Sequence, residues 1–118
     1  MATVDLVKRE RNTKKFAAGQ VIFAEGDKDN GCFYVVEAGE VEIANSKKFL
    51  ETVQSGGFFG EMGLVNHKPR SATATARTDC VVVEVNEGDF YFLIQHSPYF
   101  AVEMMQVLSD RVRRNTDS

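Results

Sequence analysis

The sequence predicts a mainly β protein: a small antiparallel β-roll, jelly-roll-like, with flanking N- and C-terminal helices. Three observations carry that expectation. Short runs rich in Val, Ile, Phe and Tyr recur about every ten residues between Gln20 and Val85, as in a sandwich or roll and unlike strands that alternate with crossover helices. Turn residues, mostly glycine with Asp, Asn or Ser, punctuate these runs. After Asn86 the apolar spacing changes from that of a strand to that of a helix. With 118 residues the chain is large enough for one core and not for two. A single domain over 1–118 is therefore expected, its roll at about 15–86 and its C-terminal helices at about 87–114.

Taken in order, Val4–Arg11 reads as a short helix. Gln20–Ala24 (QVIFA) is apolar and β-branched, and Glu25-Gly26-Asp27 ends it with a turn. Asp29-Asn30-Gly31 is a second turn, followed by the strand Cys32–Glu37 (CFYVVE). Ala38-Gly39 leads into Val41–Ala44, apolar on one face, and Phe49–Val53 is a further strand closed by Gln54-Ser55-Gly56-Gly57. In Ser71–Ala76 (SATATA), Ala72, Ala74 and Ala76 alternate strictly with Ser71, Thr73 and Thr75. Val81–Val85 reads as a strand buried on both faces. Asn86 suits the N-cap of a helix over Glu87–Gln95, with Glu87 and Asp89 in its first turn. Ser97 caps the next helix and Pro98 takes its first position. From there Phe100, Met104, Val107, Leu108 and Arg111 recur at helical spacing, giving one long amphipathic helix. The aromatics Tyr91, Phe92, Tyr99 and Phe100 and the pair Met104-Met105 read as core packing.

Composition narrows the function. Hydrophobic residues at 43% and charged residues at 26% are ordinary for a globular chain, and no apolar run approaches the roughly 20 residues of a membrane helix. The charged start, MATVDLVKRERNTKK, lacks the apolar middle of a signal peptide, so a cytoplasmic location is expected. A net charge of −3 argues against a protein that coats nucleic acid, which needs a basic face. The cluster Arg111-Val112-Arg113-Arg114 reads as a solvated helix end whose cations complement the helix dipole. Cys32 and Cys80 stand apart from each other and from any His, and read as small core residues. With His67 and His96 the only histidines, there is no HxH or HExxH pattern, and no GxSxG frames a nucleophile. No metal, no cofactor and no enzyme activity are expected.

One stretch carries chemistry: Phe59 to Thr73, FGEMGLVNHKPRSAT. Read blandly, it is a surface turn with an incidental Glu61/Arg70 ion pair. Read as a site, each part has a use. Gly60 and Gly63 allow close backbone approach. A short helical turn starting near Glu61 turns free N–H groups toward an anion. Arg70 supplies the planar fork that matches a phosphate. Ser71 adds a hydroxyl and Ala72 a backbone N–H. Glu61 would repel a phosphate, but it suits a ribose hydroxyl that donates to it. A phosphate and a ribose hydroxyl in one short cassette describe a compact nucleotide with few charges. There is no GxxxxGK[ST] and no carboxylate cluster for magnesium, which disfavours ATP.

These residues resemble the phosphate-binding cassette of the cyclic-nucleotide-binding domain family, the module of the catabolite activator protein, protein kinase regulatory subunits and gated channels. The family pattern F-G-E-[apolar]-[AG]-L-[apolar]-x-x-x-P-R-[small]-A-[TS] fits Phe59 to Thr73 without a gap. The resemblance extends upstream through Phe16-x-x-Gly19, Ile22-Phe23-x-Glu25-Gly26-Asp27, Tyr34-x-Val36 and Gly39-Glu40-Val41, and covers roughly residues 12 to 114. It implies that Arg70 holds the cyclic phosphate and Glu61 the ribose 2′-hydroxyl. Gly60, Met62 and Gly63 would contribute backbone, Ser71 and Ala72 would donate to the phosphate, and Thr73 would approach the purine. In the family a Thr or Ser directly after the arginine favours guanine and an Ala there accompanies adenine. Ser71 also resembles the bacterial activators that bind cAMP, so the reading leans to cAMP over cGMP.

The resemblance implies a non-enzymatic cyclic nucleotide sensor. Family activators continue into a helix-turn-helix, whereas this chain ends at Ser118 before any DNA-reading helix. A stand-alone sensor acting through a protein partner or a homodimer is expected, with no DNA-binding domain and no membrane contact. The long C-terminal helix is the candidate moving part, with Met104, Leu108 and Arg111 as a lid over the purine and Leu108 as first contact. The rival reading is a protein-interaction module that keeps the fold without binding nucleotide. The intact Glu61 and Arg70 favour the sensor.

Overall fold

The computed structural model describes residues 2–65 and 67–117, with side chains at all of these but 2, 3, 63, 65 and 115–117. Its strands form two four-stranded antiparallel sheets. The first, in the order β1-β8-β3-β6, comprises Thr13–Phe16 (β1), Cys80–Asn86 (β8), Cys32–Ala38 (β3) and Phe58–Phe59 (β6). The second, in the order β2-β7-β4-β5, comprises Val21–Phe23 (β2), Thr73–Ala76 (β7), Val41–Ala44 (β4) and Phe49–Val53 (β5). A single-turn helix, Met62–Val65 (α1), leads toward β7, and Glu87–His96 (α2) and Pro98–Asp117 (α3) follow β8. The expected β-roll with flanking helices is what the chain forms. Among the described residues no helix is long and apolar enough to cross a membrane.

The central pair β3 and β8 explains the layering, because both strands are apolar on both faces. Phe33, Val35, Val83 and Val85 join one core with Leu93, Phe100 and Met104 of the helices. Tyr34, Val36, Val82 and Cys80 join a second core with Val41, Val53, Ala74 and Ala76 of the other sheet. The order is thus helices, first sheet, second sheet. The alanine side of SATATA faces inward as its alternation requires, with Ala74 and Ala76 fully buried. Gly39 turns the chain between β3 and β4 at φ +85°, and a Cβ there would lie 2.3 Å from the Asp79 carbonyl oxygen. Only glycine closes that corner.

Several elements differ from expectation. Val4–Arg11 is not an α-helix. The N-terminus makes 3-10 turns at Ala2–Leu6 and Glu10–Asn12. The buried pair Val4 and Val7 is three residues apart, the repeat that a 3-10 turn eclipses onto one side. Buried Asn12 then fixes the chain, donating to the carbonyls of Val7 (3.0 Å) and Glu84 (3.1 Å). Strand β1 was not anticipated, because Lys14 and Lys15 hide its pattern, yet exposed lysines are what a sheet edge tolerates. Strand β6 has only two residues. Strand β7 begins at Thr73 and not at Ser71.

Both helices start where the sequence places them. Asn86 Oδ1 accepts from the Asp89 N–H at 2.8 Å, and Pro98 is the first residue of α3. Of the aromatics read as core, only Phe100 is buried. Tyr91, Phe92 and Tyr99 are 55%, 42% and 71% exposed, and Met105 is exposed while Met104 is buried. The core stripe of α3 is narrower than the sequence suggested.

Candidate functional site

Arg70 is the most constrained charged residue of the cassette. Its backbone is bonded twice to the turn after β2, the N–H to the Asp27 carbonyl and the carbonyl to the Gly26 N–H, both at 2.8 Å. Its side chain is only 5% exposed. The guanidinium donates to the carbonyls of Gly60 (3.0 Å) and Cys32 (3.1 Å) and to Asn30 Oδ1 (2.8 Å). Asp29 Oδ1 lies 3.7 Å away, and the Phe23 ring stacks beneath at 4.3 Å from its centroid. A buried guanidinium is tolerable only with such partners. Gly60, at φ +77°, has no room to spare: a Cβ there would lie 3.1 Å from Arg70 Nη1.

The anchoring extends one layer further. Asn30 Nδ2 donates to the Tyr34 hydroxyl at 3.0 Å, and that hydroxyl reaches Glu84 Oε2 at 3.4 Å. Burial raises the Tyr34 pKa, so the phenol stays neutral. Burial likewise raises the Cys32 pKa and keeps it a thiol. On the opposite side His67 Nδ1 sits 3.3 Å from Asp29 Oδ2, with His67 itself exposed and at φ 53°.

Glu61 does not pair with Arg70. Its Oε1 accepts from Arg111 Nη1 of α3 at 2.9 Å, both side chains being 14% exposed. Arg111 also places Nε 2.7 Å from Glu51 Oε1 on β5, donates through Nη2 to the Phe58 carbonyl, and covers the Phe58 ring. Arg114 lies 3.7 Å from Glu51. Arg111 is thus no solvated helix end, as the basic cluster alone suggested. It ties α3 to β5, to β6 and to the cassette.

Between these groups lies a cavity of about 580 Å³. The cassette lines it with Gly60, Glu61, Met62, Arg70, Ser71 and Ala72. Leu108, Arg111 and Arg114 close it from α3, and Phe23 and Glu51 from the sheets. Acid and base therefore face one space without neutralising each other, which the reading as an incidental ion pair does not allow. Met104 lies in the helix-side core and not among the cavity residues, so of the three lid candidates Leu108 and Arg111 border the space. Thr73 is also outside the lining, its Oγ1 accepting from the Glu25 N–H at 2.9 Å. Gly63 falls within α1, and its surroundings lie outside the described residues.

The family model described as "Cyclic nucleotide-binding domain" matches residues 13–97. The chain belongs to the cyclic nucleotide-binding domain family. A cAMP-dependent protein kinase regulatory subunit of Hypocrea atroviridis is 37% identical over 82 residues, covering 70% of this chain and 18% of that protein. A cyclic nucleotide-gated potassium channel of Rhizobium etli is 35% identical over 94 residues, covering 80% of this chain and 26% of that protein. The chain thus spans a minor part of the length of these relatives. Among solved structures, a protein from a cyclic-GMP-dependent signalling pathway of bacterial phytopathogenesis matches with a TM-score of 0.77 at 28% identity, covering 96% of this chain and 90% of that one. The Thermus thermophilus catabolite activator protein matches with a TM-score of 0.75 at 27% identity, covering 98% and 56%. As a member of the cyclic nucleotide-binding domain family, the chain carries a module for a nucleotide ligand, and the cavity borders the cassette that marks the family.

Sequence reasoning missed three contributors. Asp29 and Asn30 were read only as a turn, although an Asp-Asn pair beside a strand supplies acceptors for a buried guanidinium. Glu51 sat unremarked in β5, where a carboxylate between Leu50 and Thr52 stands out only once α3 is seen to cross it.

Proposed function

We propose that the chain is a cytoplasmic, non-enzymatic sensor of a cyclic mononucleotide, cAMP or cGMP, that signals through a protein partner or a homodimer. The observation that carries this is the pairing of Arg70 and Glu61 across one cavity while each is bonded to something else. Arg70 holds the cyclic phosphate, sharing donors now spent on Asp29 and Asn30, and Ser71 and Ala72 complete the anion's contacts. Glu61 accepts from the ribose 2′-hydroxyl, and its Arg111 contact loosens in exchange. The base then lies toward α3, against Leu108.

A ligand shifts a helix only by touching it differently in its two positions. Leu108 and Arg111 meet that condition, since both border the cavity. The relatives support the ligand class: two are named for cAMP-dependent and cyclic-nucleotide-gated control, and one solved structure for cyclic-GMP signalling.

Calorimetric titration with cAMP, cGMP and cyclic dinucleotides tests the reading, alongside Arg70→Glu with its fold checked by circular dichroism. Micromolar or tighter binding of a cyclic mononucleotide is expected, abolished in the variant. Truncating one partner of a buried charge pair costs roughly 2–5 kcal/mol. Undiminished affinity in folded Arg70→Glu would remove the site assignment, and no binding by the native chain would favour the interaction module instead.

A further inference from the structure

Carboxylates and guanidiniums alternate where α3 meets the cavity. From Glu61 a chain of contacts runs to Arg111 (2.9 Å), from Arg111 to Glu51 (2.7 Å), and from Glu51 to Arg114 (3.7 Å). If Arg70 takes the phosphate and Glu61 the ribose, this is the wall the base meets. A carboxylate accepts hydrogen bonds and a guanidinium donates them, and neither does both. Among the described residues lining the cavity there is no Asn or Gln, and the one neutral hydrogen-bonding side chain, Ser71, stands beside Arg70.

The two purines present different edges to such a wall. Guanine offers two acceptors together, O6 and N7, and on its other edge two donors, N1–H and the 2-amino group. Adenine alternates, with N6–H₂ beside N7 and beside N1, a pattern that suits an amide side chain and not a charged one. Adenine gives a carboxylate a single donor, N6–H, with the lone pair of N1 or N7 beside it, whereas guanine serves both carboxylate oxygens at once through N1–H and the 2-amino group. Arg111 and Glu51 stand side by side in this wall, Nε 2.7 Å from Oε1 and Nη2 donating to Oε2 at 3.4 Å.

We propose that this wall selects guanine, with Glu51 and Arg111 as specificity-determining residues, so that the preferred ligand is cGMP. The inference rests on the reading of the cavity as a cyclic-nucleotide site and departs from the lean to adenine that Ser71 suggested. Glu51 accepts from N1–H and the 2-amino group, and Arg111 donates to an acceptor of the same base. The two hold each other at 2.7 Å, and the ribose frees Arg111 by engaging Glu61.

Titration of the full chain with cGMP, cAMP and inosine 3′,5′-cyclic monophosphate tests this, together with Glu51→Gln. A bidentate base contact corresponds to about tenfold discrimination or more, so cGMP should bind at least that much tighter than cAMP. The inosine nucleotide, which lacks the 2-amino group, should fall between them. Glu51→Gln, the same size on a partly exposed strand, should narrow the cGMP/cAMP ratio toward unity by serving the mixed edge of adenine. Equal or tighter binding of cAMP by the native chain overturns the guanine assignment alone and leaves the site intact. A preference for cGMP that stays unchanged in Glu51→Gln overturns Glu51 as the residue that reads the base. Binding of none of the three overturns the site reading and this inference with it.

Discussion

Glu61 shows how one side chain can be legible in type and misread in partner. Nine positions from Arg70 in sequence, it bonds Arg111 of α3. Its proposed work on the ribose makes a sharp expectation. Glu61→Ala should weaken cyclic nucleotide binding and bind the 2′-deoxy ligand about as well as the ribose form. A hydrogen bond to a charged group contributes roughly 1.5–3 kcal/mol, well within calorimetric reach. If the variant keeps the native preference for the ribose form, Glu61 serves Arg111 alone. Gly39 offers the complementary case of a residue that shapes without binding. Gly39→Ala should lower unfolding free energy by more than the ~1–2 kcal/mol of a left-handed backbone, because its Cβ would overlap the Asp79 carbonyl. Denaturant titration reads that loss, and the folded fraction should keep its ligand affinity, since Gly39 is remote from the cavity.

At the level of elements, α3 is the part with two duties. Phe100 and Met104 fasten its first half to the helix-side core, while Leu108, Arg111 and Arg114 border the cavity. Hydrogen exchange over residues 98–114 should therefore slow on adding ligand chiefly in the second half, with Leu108→Ala weakening affinity. Unchanged exchange and unchanged affinity together would make the helix a scaffold. Much of this layout was readable in the chain. Strand β3, β8, the cap at Asn86 and the helix start at Pro98 followed from period, β-branching and local hydrogen bonding. What was not readable depended on distant partners. The two residues of β6 carry no period, the lysines of β1 make sense only at a sheet edge, and Val4 and Val7 commit to a 3-10 turn because the core lies beneath them. In the site, FGEMGLVNHKPRSAT announced its ligand class, yet Asp29, Asn30 and Glu51 entered only through the folding of β2, β3 and β5 around it.

For the molecule as a whole, ligand binding and folding are linked, since the cavity draws walls from both sheets, the cassette and α3. A ligand at a hundredfold excess over its Kd adds about 2.7 kcal/mol to the unfolding free energy, or about 10 °C in Tm for a domain of this size. Differential scanning calorimetry should show that shift with the preferred nucleotide and none in Arg70→Glu. The pairing of Arg70 with Asp29 and of Glu61 and Glu51 with Arg111 has a bearing on time as well as on affinity. On the proposed reading an arriving nucleotide exchanges partners with these groups, and on leaving it returns them to neighbours within reach of a side-chain rotation. A pocket that works in this way needs no repair before its next occupant. A module built this way can follow a second messenger down as promptly as up, its memory lasting only as long as the molecule it holds.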